Sequence, residues 1–569
     1  MHRRCKWSRH WTACTIAGLS LGCALIASVA VAFARGGGAL VDRPHGATTS
    51  GGCDLHSRHG RAEADAARDS VGRATRTSAP FTTEGSNIVL KLPVLLSGPP
   101  IQRGFLGLSF EYRAIEAYAG SDPDALNPVL EKLISNLSPG QPPRIRSGGD
   151  STDWTWWPVP HMRQPLGVSY TITKQWLAVT RALATALGAQ LILGINLEAD
   201  SAPLAAAEAQ ALSDGIGARA ISALEPGNEP ELYRSWGWYC SSADRPVTGR
   251  PSSYDFPAFV QDFSNITTAI PRDLPLAGPT VGIHTWLPGL PEFLAANPRV
   301  RVVTLHRYPL QNFVSTASPV YPSIGNLLSD AASRGLADSI APYVRIAHAH
   351  HLPLRIDEMN TVSAGQAPGV ADSFASALWI VDALFNMARV GVDGVNIHTF
   401  PGATYDLFRF WRTQGVWQGF VSPEYYGMLM FAQAAPLGSR LLTSFTATGD
   451  AVKAWATYTP DRTLRVVLIN DHPYPQTVVL QAAGHVPPAT LERLLAPDIN
   501  STKGVTLGGQ TFGRQTATGV LGQATDIAVS PANHRYLVSL PPNSAALLTI
   551  HWPSPAGSEL DHQADQPGL

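Results

Sequence analysis

The sequence predicts an α/β fold, a (β/α)8 TIM barrel with an appended C-terminal antiparallel β-sandwich. Between about residues 104 and 432, eight short apolar runs alternate with amphipathic helical patterns, which is typical of parallel strands joined by helices. Polar and aromatic residues follow the ends of these runs, where barrel enzymes carry their chemistry. From about Pro436 the runs become short and alternating and are separated by Gly, Pro, Asn and Asp, which favours a sandwich.

The predicted elements follow from hydrophobic periodicity. The eight barrel strands are Phe105–Phe110, Arg144–Ser147, Gln190–Asn196, Ala220–Glu225, Leu276–Thr280, Val300–His306, Leu354–Glu358 and Val392–Thr399. Helical patterns between them cover Asn127–Leu137, Thr173–Leu187, Ala202–Ile216, Phe256–Ile270 and Val370–Ala388. The sandwich strands are Val452–Thr457, Leu464–Asn470, Thr477–Leu480, Ile527–Val529, Tyr536–Leu540 and Ala545–His551, and the upstream run Asn87–Leu92 has the same character.

Composition excludes several classes of protein. The formal net charge is -1, from 42 basic and 43 acidic residues, so no charge imbalance indicates nucleic acid as a partner. Of the five cysteines, only Cys240 lies in the predicted fold, so neither a disulfide framework nor a paired-cysteine metal site is visible. We therefore interpret Cys240 as a buried structural thiol.

The N-terminal residues predict export. Arg3, Arg4, Lys6 and Arg9 precede an uncharged stretch over residues 11–34, which ends in a small-residue pattern typical of signal-peptide cleavage. The uncharged stretch is also long enough to span a bilayer, so a retained anchor that tethers the protein to a membrane is the alternative. Either reading predicts a secreted or cell-surface protein.

The resulting domain organisation has six parts. They are residues 1–34, a signal peptide or N-terminal anchor; 35–85, a disordered linker; 86–100, a strand contributed to the sandwich; 101–435, the catalytic barrel; 436–553, the β-sandwich; and 554–569, a disordered tail.

Two motifs carry the candidate chemistry. One is the strand end before Asn228 and Glu229, and the other is the strand end at Glu358. Splitting a glycosidic bond with retention requires two carboxyl groups about 5–5.5 Å apart. We expect Glu229 to be the general acid/base, with Glu358 as the nucleophile and its charge favouring a protonated Glu229. Asn228 is expected to bind a sugar 2-hydroxyl, and Tyr308 to donate to Glu358.

Neighbouring residues receive a structural interpretation. The side chains of Glu225 and Glu231 are expected to point away from the site, and Asp357 to face the opposite side of its strand from Glu358. No His-Glu-x-x-His motif, paired-cysteine spacing or G-x-S-x-G elbow is present, so we predict neither a metal nor a cofactor. The cluster His348, His350 and His351 is interpreted as a surface feature.

The chain resembles glycoside hydrolase family 79, the β-glucuronidase and heparanase group. The resemblance covers roughly residues 86 to 551. Its motifs are Phe105–Glu111, Arg144–Trp154, Gly227–Tyr233, His306–Leu310, Asp357–Ser363 and Gly394–His398. It implies a barrel with an appended sandwich and a retaining mechanism, with Glu229 as acid/base and Glu358 as nucleophile.

The resemblance also implies contacts with the sugar. The residues it places there are Glu111, Asp150, Asn228, Tyr308, His398 and Tyr405. Many relatives have Asn at the position of Asp150, so a different contact is expected there. For a uronate carboxylate, the resemblance leaves the backbone N–H groups around Gly365-Gln366 and the hydroxyl of Tyr405.

The sequence thus predicts a retaining β-glycosidase whose partner is a carbohydrate, most specifically an exo-acting β-glucuronidase. Three alternatives stay open. One is an endo-β-glucuronidase that acts on a glucuronate-containing polysaccharide. The second is a glycosidase of the same barrel type that acts on a neutral sugar. The third, from another class, is a non-catalytic carbohydrate-binding protein. The sequence gives no oligomeric state.

Overall fold

A closed parallel barrel forms the centre of the molecule. The computed structural model describes residues 88–92, 98–442, 445 and 452–552. Eight parallel strands close on themselves through the pairing of Leu276 with Leu224. Numbered 1 to 8 along the chain, the barrel strands are Leu106–Glu111, Arg144–Gly148, Gln190–Ile195, Ile221–Pro226, Leu276–Val281, Val300–Arg307, Leu354–Met359 and Gly394–Thr399. The predicted barrel is confirmed.

Helices surround the barrel. In chain order they are Ala114–Ala119, Pro128–Leu137, Lys174–Leu187, Ala202–Ile216, Phe256–Thr267, Leu290–Ala296, Ile324–Leu327, Arg334–Asp338, Ala341–Ala349, Phe374–Arg389 and Pro423–Ala434. Several begin where a polar side chain accepts a hydrogen bond from the first turn. Asn127 accepts from the backbone N–H of Val129, and Asp255 from that of Ala258. These caps explain why the amphipathic runs start where they do.

The helix Pro423–Ala434 was missed by the sequence analysis. It packs against Phe374–Arg389 on one side and against strands of the C-terminal domain on another, so almost all of it is buried. A helix that is covered all round shows no amphipathic stripe. Hydrophobic periodicity therefore gave no indication of this helix.

The C-terminal domain is a sandwich of two sheets. The larger sheet contains Arg440–Leu441, Lys453–Thr459, Thr463–Asn470, Ser544–His551, Ala489–Leu495, Thr506–Leu507 and Ile527–Val529. The smaller sheet contains Ile88–Lys91, Gln476–Gln481 and Arg535–Leu540. The larger sheet is antiparallel, whereas Ile88–Lys91 pairs in parallel with Gln476–Gln481. The N-terminal strand therefore makes the smaller sheet mixed.

A buried ionic cluster joins the sandwich to the barrel. Lys453 lies 3.1 Å from Asp382 of the helix Phe374–Arg389 and 3.3 Å from Asp471. Trp455 donates its indole N–H to Asp382 at 2.9 Å and stacks on Phe385. The sandwich thus holds one of the helices that support the active-site strands.

Several predictions concern residues outside the described ranges. They include the leader, residues 1–34, the linker, residues 35–85, and the tail, residues 554–569. Among the helices that the structure describes, none has the length and apolarity needed to cross a membrane.

Candidate active site

A fully buried arginine organises the carboxyl ends of the barrel strands. Arg146 of strand 2 donates from Nε to Glu225 at 2.6 Å and from Nη1 to Glu358 at 2.6 Å. Its Nη2 contacts Asn228 at 3.0 Å and His306 at 3.2 Å. A guanidinium carries its charge at every accessible pH and offers five N–H donors in a fixed plane. One residue therefore links strands 2, 4, 6 and 7.

Glu358 is held in its ionised form. Tyr308 donates to its Oε1 at 2.8 Å, as the sequence predicted, while Arg146 binds its Oε2. Burial alone would raise the pKa of Glu358, but the nearby positive charges of His398 and Arg146, together with the Tyr308 hydroxyl, lower it well below its usual range. A carboxylate with this environment suits a nucleophile.

Glu229 sits in an unusual backbone conformation. Its φ of 45° and ψ of 57° lie in the left-handed region, which non-glycine residues rarely adopt except where the surroundings impose it. Its backbone N–H donates to the carbonyl of Thr280 on strand 5 at 3.1 Å. This anchor turns the side chain over the barrel mouth.

His306 orients Glu229. The guanidinium of Arg146 cannot accept a hydrogen bond, so Nε2 of His306 must be the acceptor of their 3.2 Å contact. The proton of the neutral ring therefore lies on Nδ1, which donates to Oε1 of Glu229 at 2.9 Å. That bond leaves Oε2 of Glu229 available for a proton directed at a substrate.

The two glutamates meet across the mouth. A carboxylate oxygen of Glu229 and one of Glu358 lie within 4.8 Å of each other, with a nitrogen of His306 equally near. Such a triplet has the spacing of a metal site, but Arg146 already places a fixed positive charge on Glu358, and His306 donates to Glu229. With Arg146 and His306 already bound to the two carboxyl groups, the triplet is better suited to acid–base chemistry than to binding a cation.

The expectation that Asp357 faces away from Glu358 is wrong. Between Leu305 and His306 the register with strand 7 shifts, so that Leu305 pairs with Ile356 and His306 with Glu358. Asp357 is thus the extra residue of a β-bulge, which breaks the alternation of side chains. Its carboxylate lies 3.3 Å from Nε of Arg146, beneath the site.

Glu225 likewise points inwards, where it binds Arg146 beneath the mouth. Glu231 does have a structural contact, because its Oε1 accepts from the backbone N–H groups of Gly282 and Ile283. Burial, and then the charge of Glu229, raise the pKa of Glu231 to about 8.

Glu111 and His398 line the side formed by strands 1 and 8. Glu111 accepts from the backbone N–H of Ser151 at 2.8 Å and from its hydroxyl. His398 lies 3.4 Å from Glu111 and 3.9 Å from Glu358, and its Nδ1 contacts Ser109 at 3.0 Å. Burial opposes protonation, but the nearby carboxylates of Glu358 and Glu111 raise the pKa of His398.

Asp150 and Asn228 meet between strands 2 and 4. The amide of Asn228 donates to Asp150 at 3.3 Å and accepts from Arg146. Burial, followed by the charges of Glu111 and Glu229, raises the pKa of Asp150 well above its usual range. A protonated carboxyl at this place can donate as well as accept, as an Asn side chain does.

Tyr405 closes the site on the side of strand 8. It is buried, and its ring lies 6.3 Å from that of Tyr308. The backbone turns past it through Ala364 and Gly365, whose φ angles of 59° and 72° are both left-handed. An added Cβ at Gly365 would lie 3.7 Å from the Tyr405 ring, so the turn and the phenol are neighbours.

The interpretation of Cys240 as a buried thiol is wrong. Cys240 is disulfide-bonded and only half-buried. The other four cysteines of the chain lie outside the described residues. Spacing between cysteines could not reveal the bond, because Cys240 is the one cysteine within the described ranges.

Sequence reasoning missed Arg146, Ser109 and Asp153. The signal for Arg146 was its position in the middle of a predicted barrel strand, where a charge must be paired. Asp153 accepts from Tyr233 and from the backbone N–H groups of Leu197 and Asn228. It therefore ties the loop after strand 2 to those after strands 3 and 4.

Comparison with protein families identifies the C-terminal domain. The family model described as "Glycosyl hydrolase family 79 C-terminal beta domain" matches residues 454–547. The chain is 24% identical over 518 residues to a β-glucuronidase of Aspergillus niger, which covers 79% of this chain and 91% of that protein. It is 24% identical over 443 residues to a β-glucuronidase of Neurospora crassa, covering 69% and 76%.

Solved structures share the architecture. A 4-O-α-L-rhamnosyl-β-D-glucuronidase from Fusarium oxysporum matches with a TM-score of 0.61 and 21% identity, covering 82% of this chain and 99% of that one. A family 51 arabinofuranosidase from Xanthomonas axonopodis matches with a TM-score of 0.55 and 15% identity, covering 82% and 100%. At these identities the likeness shows the fold.

Proposed function

Because this chain is a glycoside hydrolase with the C-terminal domain of family 79, we propose that it is an exo-acting β-glucuronidase that cleaves with retention. The observation that carries the proposal is the approach of Glu229 and Glu358 to within 4.8 Å, with Glu358 held ionised by Arg146 and Tyr308. Inverting enzymes keep their carboxyl groups about 6.5–9.5 Å apart to admit a water between them. The two curated relatives named β-glucuronidase support the glucuronide as substrate.

The reaction has two steps. In the first, an oxygen of Glu358 bonds to the anomeric carbon while Glu229 delivers its proton to the departing glycosidic oxygen. In the second, Glu229, now ionised, takes a proton from water, which attacks the anomeric carbon and releases Glu358. His306 serves both steps by keeping one oxygen of Glu229 occupied.

A uronate carboxylate requires hydrogen-bond donors in a site that is otherwise acidic. Tyr405 and the left-handed turn at Ala364-Gly365 supply a hydroxyl and backbone N–H groups on the side of strand 8. Neutral donors of this kind can bind an anion, and successive backbone N–H groups are well suited to it. The carboxyl groups of Glu111, at the end of strand 1, and Asp150, after strand 2, suit the sugar hydroxyls.

An assay of the full chain tests the proposal. The enzyme is assayed separately on five substrates: chromogenic β-glucuronide, β-glucoside, β-xyloside and α-arabinofuranoside, and a glucuronate-containing polysaccharide. We expect hydrolysis of the glucuronide alone, with the β anomer as first product by NMR. Glu358→Gln should lose activity by about 1,000-fold or more. Release of oligosaccharides without monosaccharide would favour endo action, and turnover of a neutral glycoside alone would refute glucuronide specificity.

The catalytic roles have their own test. Glu229→Ala removes the proton donor, so it should slow aryl glucuronides with good leaving groups less than those with poor ones. Azide should then restore turnover and yield the β-configured glucuronosyl azide, because it can attack the covalent intermediate without a general base. Formation of the α-configured azide would contradict retention.

We also propose that the protein is exported. The charged start followed by an uncharged stretch over residues 11–34 supports this, and so does the disulfide of Cys240, since disulfides persist in oxidising compartments. N-terminal sequencing of exported protein would decide between a cleaved signal and a retained anchor.

A further inference from the structure

The turn that carries the acid/base is bonded to the end of strand 5 by three hydrogen bonds. The backbone N–H of Glu229 donates to the carbonyl of Thr280 at 3.1 Å. Two residues later, Oε1 of Glu231 accepts from the backbone N–H groups of Gly282 at 2.5 Å and Ile283 at 2.7 Å. Glu231 is only 3% exposed, so these bonds are strengthened by their low-dielectric surroundings. The loops after strands 4 and 5 therefore hold each other in place.

The peptide between Gly282 and Ile283 is held at both of its polar atoms. Its N–H donates to Glu231, and its carbonyl oxygen accepts from Nη1 of Arg307 at 3.2 Å. Arg307 comes from the end of strand 6 and is fixed in turn by its bond to the hydroxyl of Ser339 at 3.1 Å. We call this arrangement of Glu231, Arg307 and the peptide between them the clamp. It joins the ends of strands 4, 5 and 6.

The backbone next to the clamp is strained. Thr280 has a φ of 56° and Glu229 a φ of 45°, both in the left-handed region. For a β-branched residue such as Thr280 this conformation is a genuine outlier, and it persists only where the surrounding contacts impose it. The bonds from Glu231 and Arg307 follow Thr280 directly along the chain, so we infer that the clamp supplies those contacts.

Gly282 brings the clamp into contact with the acid/base. An added Cβ at Gly282 would lie 2.7 Å from Oε1 of Glu229 and 3.7 Å from Oε1 of Glu231, so this one position faces both carboxyl groups. Oε1 of Glu229 is thus confined by the backbone of Gly282 and by Nδ1 of His306, which lies 2.9 Å away. A carboxyl group confined in this way keeps its second oxygen in a constant direction.

We propose that Glu231 is a positioning residue for the acid/base, which it keeps directed at the glycosidic oxygen through the backbone of Gly282 and Ile283. Arg307 acts with it from the other end of the same peptide. The proposal deepens the proposed function and rests on it, because it assigns the residues that orient the proton donor of that reaction.

Glu231 acts as a neutral hydrogen-bond acceptor. Burial, and then the charge of Glu229, raise the pKa of Glu231 to about 8, so its carboxyl group carries a proton at neutral pH and below. Its Oε2 is buried and has no hydrogen-bond partner in the described part of the chain, so Oε1 makes the side-chain bonds to the clamped backbone. A glutamine side chain offers the same carbonyl oxygen at the same place.

A series of aryl β-glucuronides with different phenols as leaving groups tests the proposal. Glu231→Ala should lower kcat/KM by about 100-fold for phenol and by at most about fivefold for dinitrophenol, which departs without a proton. Glu231→Gln, which keeps the acceptor, should stay within about threefold of wild type on both. The same leaving-group dependence in Glu231→Ala and wild type would overturn the proposal, as would a Glu231→Gln variant impaired as much as Glu231→Ala.

Glu208→Ala is the matched control. Glu208 is also a buried carboxyl group that accepts from a backbone N–H after a barrel strand, that of Asn196 at 3.0 Å, but it lies on the outer helix Ala202–Ile216. Its removal should lower the midpoint of thermal unfolding without changing the leaving-group dependence. Arg307→Met should show the dependence of Glu231→Ala at a smaller size, about tenfold for phenol, even if Glu231→Ala does not fold. A wild-type dependence in Arg307→Met would contradict the clamp.

Hydrogen exchange separates the failure of this proposal from that of the proposed function. Peptides that span Gly282 and Ile283 should exchange their amide protons faster in Glu231→Ala than in Glu231→Gln or the wild type, with or without substrate turnover. Equal exchange in all three proteins would overturn the role of Glu231. Absence of hydrolysis of every aryl β-glucuronide by the wild type would instead refute the proposed function.

Discussion

Asp357 and Glu225 both approach Nε of Arg146 beneath the site, at 3.3 Å and 2.6 Å. Both side chains are completely inaccessible to solvent. Two buried carboxyl groups this close to one guanidinium nitrogen repel each other when both are ionised, which favours a proton on one of them. Burial, and then the charge of Glu225, raise the pKa of Asp357 well above its usual range, so Asp357 carries the proton. The positive charge of Arg146 is then opposed by the negative charges of Glu225 and Glu358.

Asp357→Asn should therefore be tolerated. An amide N–H can replace the carboxyl proton towards Glu225 without changing the net charge around Arg146. We expect kcat/KM to stay within about threefold of wild type, with an unchanged pH profile. Glu225→Gln, the matched change, removes the charge that Arg146 binds and should lower kcat/KM much more. A loss of activity in Asp357→Asn as large as that in Glu225→Gln would show that Asp357 is ionised.

Tyr308→Phe should change the pH dependence of the reaction. The hydroxyl of Tyr308 donates to Glu358 and helps to keep its pKa low. Glu358 must be ionised to attack, so activity falls as the pH drops through its pKa. Removing the donor raises that pKa, and the acid limb of the kcat/KM profile should move up by about one pH unit. Tyr474→Phe, on the surface, is the control and should show no shift.

Gly282→Ala should reduce kcat without reducing stability. An added Cβ at Gly282 would lie 2.7 Å from Oε1 of Glu229, the oxygen that receives the His306 hydrogen bond. The carboxyl group of Glu229 can rotate away from the added methyl group at little energetic cost. It is then no longer oriented towards the glycosidic oxygen, so we expect kcat to fall by about 100-fold. Gly325→Ala, whose Cβ would meet nothing within 4 Å, is the matched control. We expect both variants to have the same midpoint of thermal unfolding.

Lys453→Met should weaken the attachment of the sandwich. The change leaves Asp382, only 4% exposed, without the ammonium that lies 3.1 Å away. Removing one partner of a buried ion pair lowers the free energy of unfolding by about 3–5 kcal/mol. We expect the denaturant midpoint of unfolding to fall while kcat/KM of the folded enzyme stays the same. Lys132→Met, at an exposed position, should leave the midpoint unchanged.

The disulfide of Cys240 predicts a specific labelling pattern. In unfolded, unreduced protein, Cys240 should not react with a maleimide, and it should do so after reduction. Peptide mapping without reduction would identify the cysteine that is bonded to Cys240. Labelling of Cys240 before reduction would contradict the disulfide.

The barrel was predictable because its eight strands and most of its longer helices leave a local mark in the sequence. The predicted strand limits differ from the observed ones by at most two residues, since apolar runs end where the chain leaves the barrel wall. The helix Pro423–Ala434 and the strand Ala489–Leu495 were missed. Their burial depends on which elements pack around them, and periodicity within a segment does not record that.

The sequence by itself determined that Glu229 and Glu358 end parallel strands, and parallel strands of a closed barrel deliver their ends to one mouth. Only the tertiary structure decided what surrounds them. The bulge that turns Asp357 inwards is a property of the pairing between strands 6 and 7, and the charge balance at Arg146 arises from residues on strands 2, 4 and 7. Hydrogen bonding and desolvation act between side chains that are distant in the chain, so their effects appear only once the strands are in register.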